Sequence, residues 1–245
     1  MGKLIAVVSG KGGVGKTTVS GGVAGALAEK KRSVLLVDGD LALGNLDLTL
    51  GLEGAAIYDL MDAIGGVCPL SDAVRRISTE YPLWFLPISL AKEEQPGGLR
   101  AVPPILRLLA NRFDYVVVDC PAGLSEQLRL LTQDADLALV VTTPEAMALR
   151  DARKLVLALS RPETELRLVV NRVRPELIEQ GTAPDIDAIM DKLGLPLLGA
   201  LLEDKTVTPL QNTGVPLIFQ SACQAGRQLR DIAARIEGEQ IALRI

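Results

Sequence analysis

The chain contains no histidine, and this absence removes several kinds of site at once. Without imidazole there is no Ser-His-Asp triad, no histidine general base and no histidine metal ligand. Its three cysteines, Cys68, Cys120 and Cys223, are far apart and form no C-x-x-C pair, so their spacing predicts neither a zinc site nor a disulfide framework. Any proton transfer must therefore use carboxylates, lysines or water. The three thiols are expected to be buried and reduced.

Long apolar runs and a basic surplus are also missing. No stretch reaches the ~20 apolar residues that a membrane-spanning helix requires, and the first apolar run, residues 4–8, ends at Ser9 and Gly10 without forming a signal peptide. The net charge of −4 disfavours nucleic acid as a partner. The sequence thus predicts a cytoplasmic protein.

Short apolar runs alternate with helical patterns along the whole chain. The predicted strands are Leu4–Val8, Val34–Val37, Leu83–Leu86, Tyr115–Val118, Leu137–Thr142, Leu166–Val170 and Leu197–Leu201. The predicted helices are Thr17–Lys31, Ile105–Asn111, Ala146–Ser160 and Ile186–Leu193. This alternation predicts an α/β fold with a mainly parallel sheet flanked by helices on both faces. No repeat or linker divides the chain, so we predict one domain over residues 1–245.

A glycine-rich segment follows the first predicted strand and opens the first predicted helix. It satisfies G-x-x-x-x-G-K-[ST], with Gly10, Gly15, Lys16 and Thr17 at the fixed positions. Glycines let successive N–H groups turn toward an anion, and the helix N-terminus adds positive partial charge. We therefore predict a P-loop that binds ATP with Mg²⁺, in which Lys16 reaches the β- and γ-phosphates and the Thr17 hydroxyl binds the metal. The residues predicted to bind nucleotide here are Gly10, Lys11, Gly12, Gly13, Val14, Gly15, Lys16, Thr17 and Thr18.

Carboxylates end two of the predicted strands. Asp38 and Asp40 follow the second strand directly, where ligands bind in open α/β sheets. Asp119 ends the apolar run Tyr115–Val118, which is a Walker B arrangement, and we predict that it holds Mg²⁺ directly or through water.

A second lysine, Lys11, opens the segment Lys11–Thr18, which resembles the deviant Walker A motif of the MinD/ParA family of ATPases. The resemblance implies an ATP-dependent homodimer in which Lys11 reaches the partner's nucleotide phosphates, where a cation stabilises the charge that develops during phosphoryl transfer. It also implies that Asp40 positions the attacking water and contacts the metal shell, supported by Asp38. The resemblance thereby assigns catalysis to Lys11, Lys16 and Asp40. It assigns metal binding to Thr17, Asp40 and Asp119. Slow basal hydrolysis of ATP is expected.

Within this family the MinD branch fits best. Residues 38–48 resemble the pattern D-x-D-x-G-x-x-N-L-D, with Gly44 two places later than the glycine of the pattern, and residues 119–123 resemble the D-x-P-A-G switch segment. Thr143-Pro144-Glu145 continues to Arg150 and Asp151. The resemblance implies division-site selection, with ATP-driven membrane association and recruitment of a division inhibitor. Arg150 and Asp151 are assigned to a surface that binds partners similar to MinC and MinE.

Two further segments resemble the base-binding elements of the family. Asn171 matches an adenine-contacting asparagine, whose amide both donates to and accepts from the base edge. Glu203 and Asp204, with residues 212–218, resemble a P-E-D … G-x-P stretch in which Leu202 replaces the proline. We assign Asn171, Glu203, Asp204 and Asp38 to nucleotide binding.

The C-terminal segment, residues 228–245, departs from the family, which usually ends in a basic amphipathic helix. Its apolar positions Leu229, Ile232, Ala233 and Ile236 share one helix face, and its arginines and carboxylates are equal in number. This pattern fits packing on the domain as well as it fits lipid. Residues 239–245 are a candidate for a weak, peripheral contact with the inner face of the cell membrane, strengthened by dimerisation.

Three other functions remain open on the sequence. One is a ParA-like ATPase that partitions DNA or positions cargo, and another is a nucleotide-binding scaffold without turnover or membrane binding. The third is a redox or iron–sulfur relative, which is disfavoured because Cys120 has no second cysteine at a suitable spacing.

Overall fold

The computed structural model describes residues 2–40, 46, 50, 52, 57–89, 98–212, 217–219 and 223–243. The strands are β1 Lys3–Ser9, β2 Val34–Asp38, β3 Arg75–Arg76, β4 Leu83–Pro87, β5 Tyr115–Ala122, β6 Leu137–Thr142, β7 Glu165–Val173 and β8 Leu197–Leu202. The helices are α1 Lys16–Glu29, α2 Leu60–Ile64, α3 Leu70–Ala73, α4 Val102–Ala110, α5 Glu126–Thr132, α6 Ala146–Leu159, α7 Pro175–Glu179, α8 Ile186–Leu193, α9 Val207–Gln211 and α10 Gln224–Ile236. Short 3₁₀ helices cover Gly98–Ala101 and Leu217–Phe219.

The strands form one eight-stranded sheet in the order β3-β4-β2-β5-β1-β6-β7-β8. All neighbours are parallel except β3, which runs antiparallel to β4. The predicted α/β fold with a mainly parallel sheet is therefore confirmed. Because β1 lies between β5 and β6, the loop that follows it opens at the middle of the sheet edge.

Both faces of the sheet are covered, which explains why its strands are continuous apolar runs. Leu4, Ala6 and Val8 of β1 belong to one buried core, whereas Ile5 and Val7 belong to the core on the opposite face. Helices α4, α5, α6 and α8 supply apolar side chains to the first core, and α1 and α10 supply them to the second.

The C-terminal helix packs tightly on the domain. Leu229, Ile232, Ala233 and Ile236 are all buried in the core that contains α1. A Cβ atom on Gly22 of α1 would lie 2.3 Å from Cδ1 of Leu229, so the two helices approach more closely than any larger residue would allow. The apolar face of α10 is thus used for packing.

Two strands, β5 and β7, extend three or more residues past their predicted ends. β7 continues to Val173, so Asn171 lies inside the strand instead of after Val170. β5 continues to Ala122, so Asp119 lies inside the strand instead of at its end. The pairing shifts from Val7↔Asp119 to Ser9↔Ala122, which leaves Pro121 at an irregularity where its missing N–H costs no ladder hydrogen bond. The prediction also omitted β3 and five short helices, α2, α3, α5, α7 and α9.

Candidate functional site

The loop between β1 and α1 has the conformation that its glycines permit. Gly13 and Gly15 have φ angles of 79° and 91°, in the left-handed region that favours glycine. Gly15 precedes α1, and no side chain among the described residues caps this helix. The first-turn N–H groups, which have no partner within a helix, therefore face the loop opening with the positive end of the helix dipole.

Asp119 is the centre of the polar network beneath this loop. Its Oδ1 accepts hydrogen bonds from Lys16 Nζ at 2.9 Å and from Ser20 Oγ at 2.8 Å. Its Oδ2 accepts one from Thr17 Oγ1 at 2.7 Å. Asp119 and Lys16 are both buried, so this ion pair is sheltered from water and strengthened by its hydrogen bonds. The structure thus brings together three residues that were predicted to act together, Lys16, Thr17 and Asp119.

Asp38 lies beside Asp119 on the neighbouring strand, since the two residues are register partners in β2 and β5. Burial, and after it the charge of Asp119, raises the pKa of Asp38 to about 7. The N–H groups of Asp40 and Leu46 donate to the Asp38 carboxylate at 3.1 and 3.2 Å and oppose this rise. Asp40 itself is half-buried next to this pair, as its sequence position predicts.

Lys11 is placed at the exposed lip of the loop. Its Nζ lies 3.8 Å from Glu145 Oε2, and 42% of its side chain is exposed. Lys11 therefore makes an ion pair with the residue that precedes α6, whereas Lys16 points into the site.

A cavity of about 290 Å³ lies beside the loop and contains the three predicted base-binding residues, Asn171, Glu203 and Asp204. Asn171 Nδ2 donates to the carbonyl of Val14 at 2.8 Å and fills the space where a Cβ on Gly15 would lie, 2.1 Å away. This contact fixes the loop against β7.

Asp204 ties the same cavity to the C-terminal helix. Its carboxylate accepts hydrogen bonds from the Thr206 hydroxyl at 2.6 Å, from Cys223 Sγ at 3.2 Å and from the Ala225 N–H at 3.4 Å. Burial by itself raises the pKa of Asp204, but these bonds, with the Thr206 N–H, lower it to about 2. Asp204 is thus an anionic anchor of the cavity wall, while Glu203 is exposed and pairs with Arg174 at 3.4 Å.

Arg150 and Asp151 lie on α6 and pair with each other at 3.6 Å. Arg150 is exposed, and the backbone of Asp151 packs against the first glycine of the loop. A Cβ on Gly10 would lie 2.4 Å from the Asp151 carbonyl carbon and oxygen. The predicted partner-binding helix and the phosphate loop are therefore in direct backbone contact.

Parts of three predicted segments lie outside the described residues. These are residues 41–45 and 47–48 of the segment that follows Asp38, residues 213–216 of the stretch after Asp204, and residues 244–245 of the C-terminal tail.

Three polar side chains of the site were not predicted from the sequence. Ser20, one helical turn after Lys16, shares its face and could have been found from that spacing. Gln127 Nε2 donates to the Gly39 carbonyl at 2.6 Å, and Gln211 Nε2 donates to Thr18 Oγ1 at 3.0 Å. Both glutamines come from distant helices, and no local pattern indicated them.

The oxygen donors near the loop suit Mg²⁺. Thr17 and Asp119 are in contact, and both offer the hard oxygen atoms that this ion prefers. Within the described ranges no group of three or more His, Cys, Asp or Glu side chains could hold a metal alone. Mg²⁺ is commonly bound by one or two carboxylates together with nucleotide phosphates.

No helix among the described residues is long and apolar enough to cross a membrane.

Comparison with known proteins agrees with this geometry. A family profile described as the CobQ/CobB/MinD/ParA nucleotide binding domain matches residues 5–217. The septum site-determining protein MinD of Bacillus subtilis (strain 168) is 39% identical, with 100% of this chain and 92% of that protein covered.

Solved structures give the same result. MinD in a MinC:MinD cell division protein complex from Aquifex aeolicus superposes with a TM-score of 0.89 at 30% identity, covering 99% of this chain and 98% of that chain. The septum site-determining protein MinD complexed with Mg-ADP from Pyrococcus horikoshii OT3 gives 0.85 at 28% identity, covering 97% and 96%. The chain therefore belongs to the MinD branch of the MinD/ParA family of nucleotide-binding P-loop ATPases.

Proposed function

We propose that this ATPase is a spatial regulator of cell division that dimerises when it holds Mg-ATP, associates peripherally with the membrane and recruits a division inhibitor similar to MinC. The observation that carries the proposal is the arrangement of the two loop lysines. Lys16 is buried on Asp119, whereas Lys11 lies at the exposed lip, where a second subunit can be reached. One lysine thus serves the chain's own nucleotide, and the other serves its partner's.

Nucleotide binding would rearrange the Asp119 network. Phosphates held by the loop N–H groups attract the Lys16 ammonium, and as it turns toward them Asp119 loses one of its three donors. Thr17, Asp119 and Asp40 would then hold Mg²⁺, which supplies neutralisation of phosphate charge. Ser20 keeps Asp119 oriented, and Asp40 positions the attacking water.

Dimerisation requires Lys11 to leave Glu145. Both side chains of this pair are substantially exposed, and their separation is 3.8 Å. Exposed pairs of this kind contribute only about 0–1 kcal/mol, so contacts with the partner's phosphates easily offset the loss. The Lys11 ammonium then lies where charge develops during hydrolysis.

The outer face of α6 is the proposed surface for the division inhibitor and for a regulator similar to MinE. Arg150 and Lys154 are exposed on it together with two large apolar side chains, Met147 and Leu157. An acidic segment with apolar anchors would complement this face. The backbone contact between Gly10 and Asp151 supplies a physical route by which the nucleotide loop can alter it.

Membrane contact is proposed for the tail that follows α10. Since the apolar face of α10 is buried, the part of residues 228–245 left for lipid is the tail, where Leu243 is 42% exposed. A single short segment binds weakly, and pairing two tails in a dimer strengthens the attachment.

The experiment measures assembly first and membrane binding second. Light scattering would compare the mass of the wild type, Asp40→Ala and Lys11→Ala with ATP and with ADP, and Lys154→Ala serves as the control for loss of one exposed lysine charge. We expect ATP to double the mass of the wild type, Asp40→Ala to remain dimeric because it cannot hydrolyse ATP, and Lys11→Ala to stay monomeric. An unchanged wild-type mass in ATP would refute the dimer switch.

The second stage is co-sedimentation of the same proteins with anionic vesicles. The wild type should co-sediment with the vesicles in ATP but not in ADP. Asp40→Ala should remain bound to the vesicles in ATP. Dimerisation without sedimentation would remove the membrane role and leave a ParA-like function on DNA or protein cargo, to be tested by adding DNA to the same dimer.

A further inference from the structure

A second cavity, of about 420 Å³, lies next to the base cavity, between the end of β6, the start of α6 and helices α7 and α8. Its volume is in the range of sites that bind small molecules. Its lining includes Thr143, Arg172, Arg174, Lys192 and Glu203.

The cavity includes the N-terminal end of α6, a helix of 14 residues. The residue before the helix is Glu145, and its side chain does not cap the first turn. The N–H groups of residues 146–148 have no hydrogen-bond partner in the part of the chain that the structure describes. Together with the helix dipole, they favour an anion at this end.

The charges of the lining point the same way. Three cations, Arg172, Arg174 and Lys192, face two carboxylates. Glu203 pairs with Arg174 at 3.4 Å, and the other carboxylate, Glu145, lies 3.8 Å from Lys11. Arg172 and Lys192 have no ion-pair partner among the described residues, so two positive charges are left for a ligand.

An independent observation comes from Thr143. This residue is only 2% exposed, and its Oγ1 atom is the buried side-chain oxygen without a hydrogen-bond partner in the described ranges. Burying a hydroxyl without a partner is costly, so such an atom calls for an explanation. Thr143 lines the cavity, and rotation of its side chain would bring this hydroxyl to an acceptor bound there.

We propose that this cavity is a binding site for a small organic anion, a carboxylate or phosphate carried on an apolar body. The anion is held by the first turn of α6, Arg172, Lys192 and the Thr143 hydroxyl. Leu149 and Leu177, which also line the cavity, contact the apolar body.

The site lies directly beside the base cavity. Arg172 and Glu203 line this cavity and the base cavity alike, so the two share a wall. Arg172 has a φ of 54°, a left-handed conformation that is strained for an arginine and that fixes it between the two spaces. The anion site itself does not depend on the proposed role in cell division.

The test titrates hexanoate or hexyl phosphate, as probes, into the nucleotide-free protein. Binding is measured from the amide NMR spectrum. Acetate supplies the anion without an apolar body, and 1-hexanol supplies the body without the charge. At equal concentration we expect hexanoate or hexyl phosphate to shift the amide signals of residues 146–148, and both control compounds to leave them unchanged. The probe that shifts them at lower concentration identifies the carboxylate or the phosphate as the preferred group.

Two variants locate the contacts. Lys192→Gln and Thr143→Val should each bind the preferred probe about tenfold more weakly, as expected for loss of a hydrogen bond to a charged group. Lys154→Gln removes the same charge from the outer face of α6 and should bind as the wild type does. Because Thr143→Val removes only an unpaired hydroxyl, its thermal midpoint should not fall, so weaker binding there is separate from unfolding.

The proposal is overturned if neither probe shifts these signals, or if 1-hexanol shifts them equally. It is also overturned if Lys192→Gln and Lys154→Gln bind the probe with the same affinity.

Discussion

The nucleotide-free protein should lose stability as the pH rises, because of Asp38. Its pKa is raised from 3.8 to about 7 in the folded protein, so between these values the folded state binds the proton more readily than the unfolded state. The stabilising contribution is complete below pH 3.8 and is lost once the pH passes about 7. From about pH 5 to about pH 8, the linkage relation gives a loss of about 2.5 kcal/mol.

The substitution Asp38→Asn removes this dependence, since an amide does not titrate. It also replaces one of the two oxygens that accept from the Asp40 and Leu46 N–H groups, at a cost of about 1–3 kcal/mol that does not change with pH. The variant therefore has a lower free energy of unfolding than the wild type at low pH. As the pH rises, the free energy of unfolding of the wild type falls by about 2.5 kcal/mol relative to that of the variant, so the gap between them closes or changes sign.

Urea unfolding in a chelator, without nucleotide, across this pH range would measure the difference. The chain has no histidine, so no other side chain of ordinary pKa titrates in the middle of the range. Asp114→Asn is the control, because hydrogen bonds from the Ser33 N–H and hydroxyl hold the pKa of Asp114 below its ordinary value and outside the range. If the wild type and Asp38→Asn lose stability in parallel, the reasoning about Asp38 is wrong.

Two predictions concern the C-terminal helix. Gly22→Ala should have a free energy of unfolding about 1–3 kcal/mol below that of Gly21→Ala, because a Cβ on Gly22 meets Leu229 at 2.3 Å whereas one on Gly21 has room; equal urea midpoints would contradict this. Arg235 donates to three backbone carbonyls, two of them in the tail after α10. Arg235→Ala should therefore speed amide hydrogen exchange in that tail, whereas the exposed Arg227→Ala on the same helix should not; unchanged exchange would show that the tail is held by other contacts.

The sequence by itself determined the fold class and the phosphate loop. Continuous apolar runs indicate strands that are buried on both faces, and the bounds of the strand Leu137–Thr142 and the helix Ile186–Leu193 were predicted to the residue. The loop is equally local, since nine consecutive residues contain both the glycines that bend the chain and the lysine and threonine that line the site. Both features depend on residues that are close together in the sequence, so the sequence alone is enough to predict them.

Only the tertiary structure decided how distant residues meet. Asp119 could be placed near the loop from its sequence, but its bonds to Lys16, Thr17 and Ser20 depend on how β5 and α1 pack beside β1. The hydrogen bond from Gln211 to Thr18 joins residues that are far apart in the chain, and no periodic pattern in the sequence predicts it.

The apolar face of α10 shows most clearly that the sequence alone does not determine which surfaces meet. Its apolar spacing fitted lipid and protein equally, because a hydrophobic stripe is attracted to any apolar surface. The small residue Gly22 in α1 leaves room for Leu229, and that complementary shape, which exists only in the folded chain, assigns the face to the protein core.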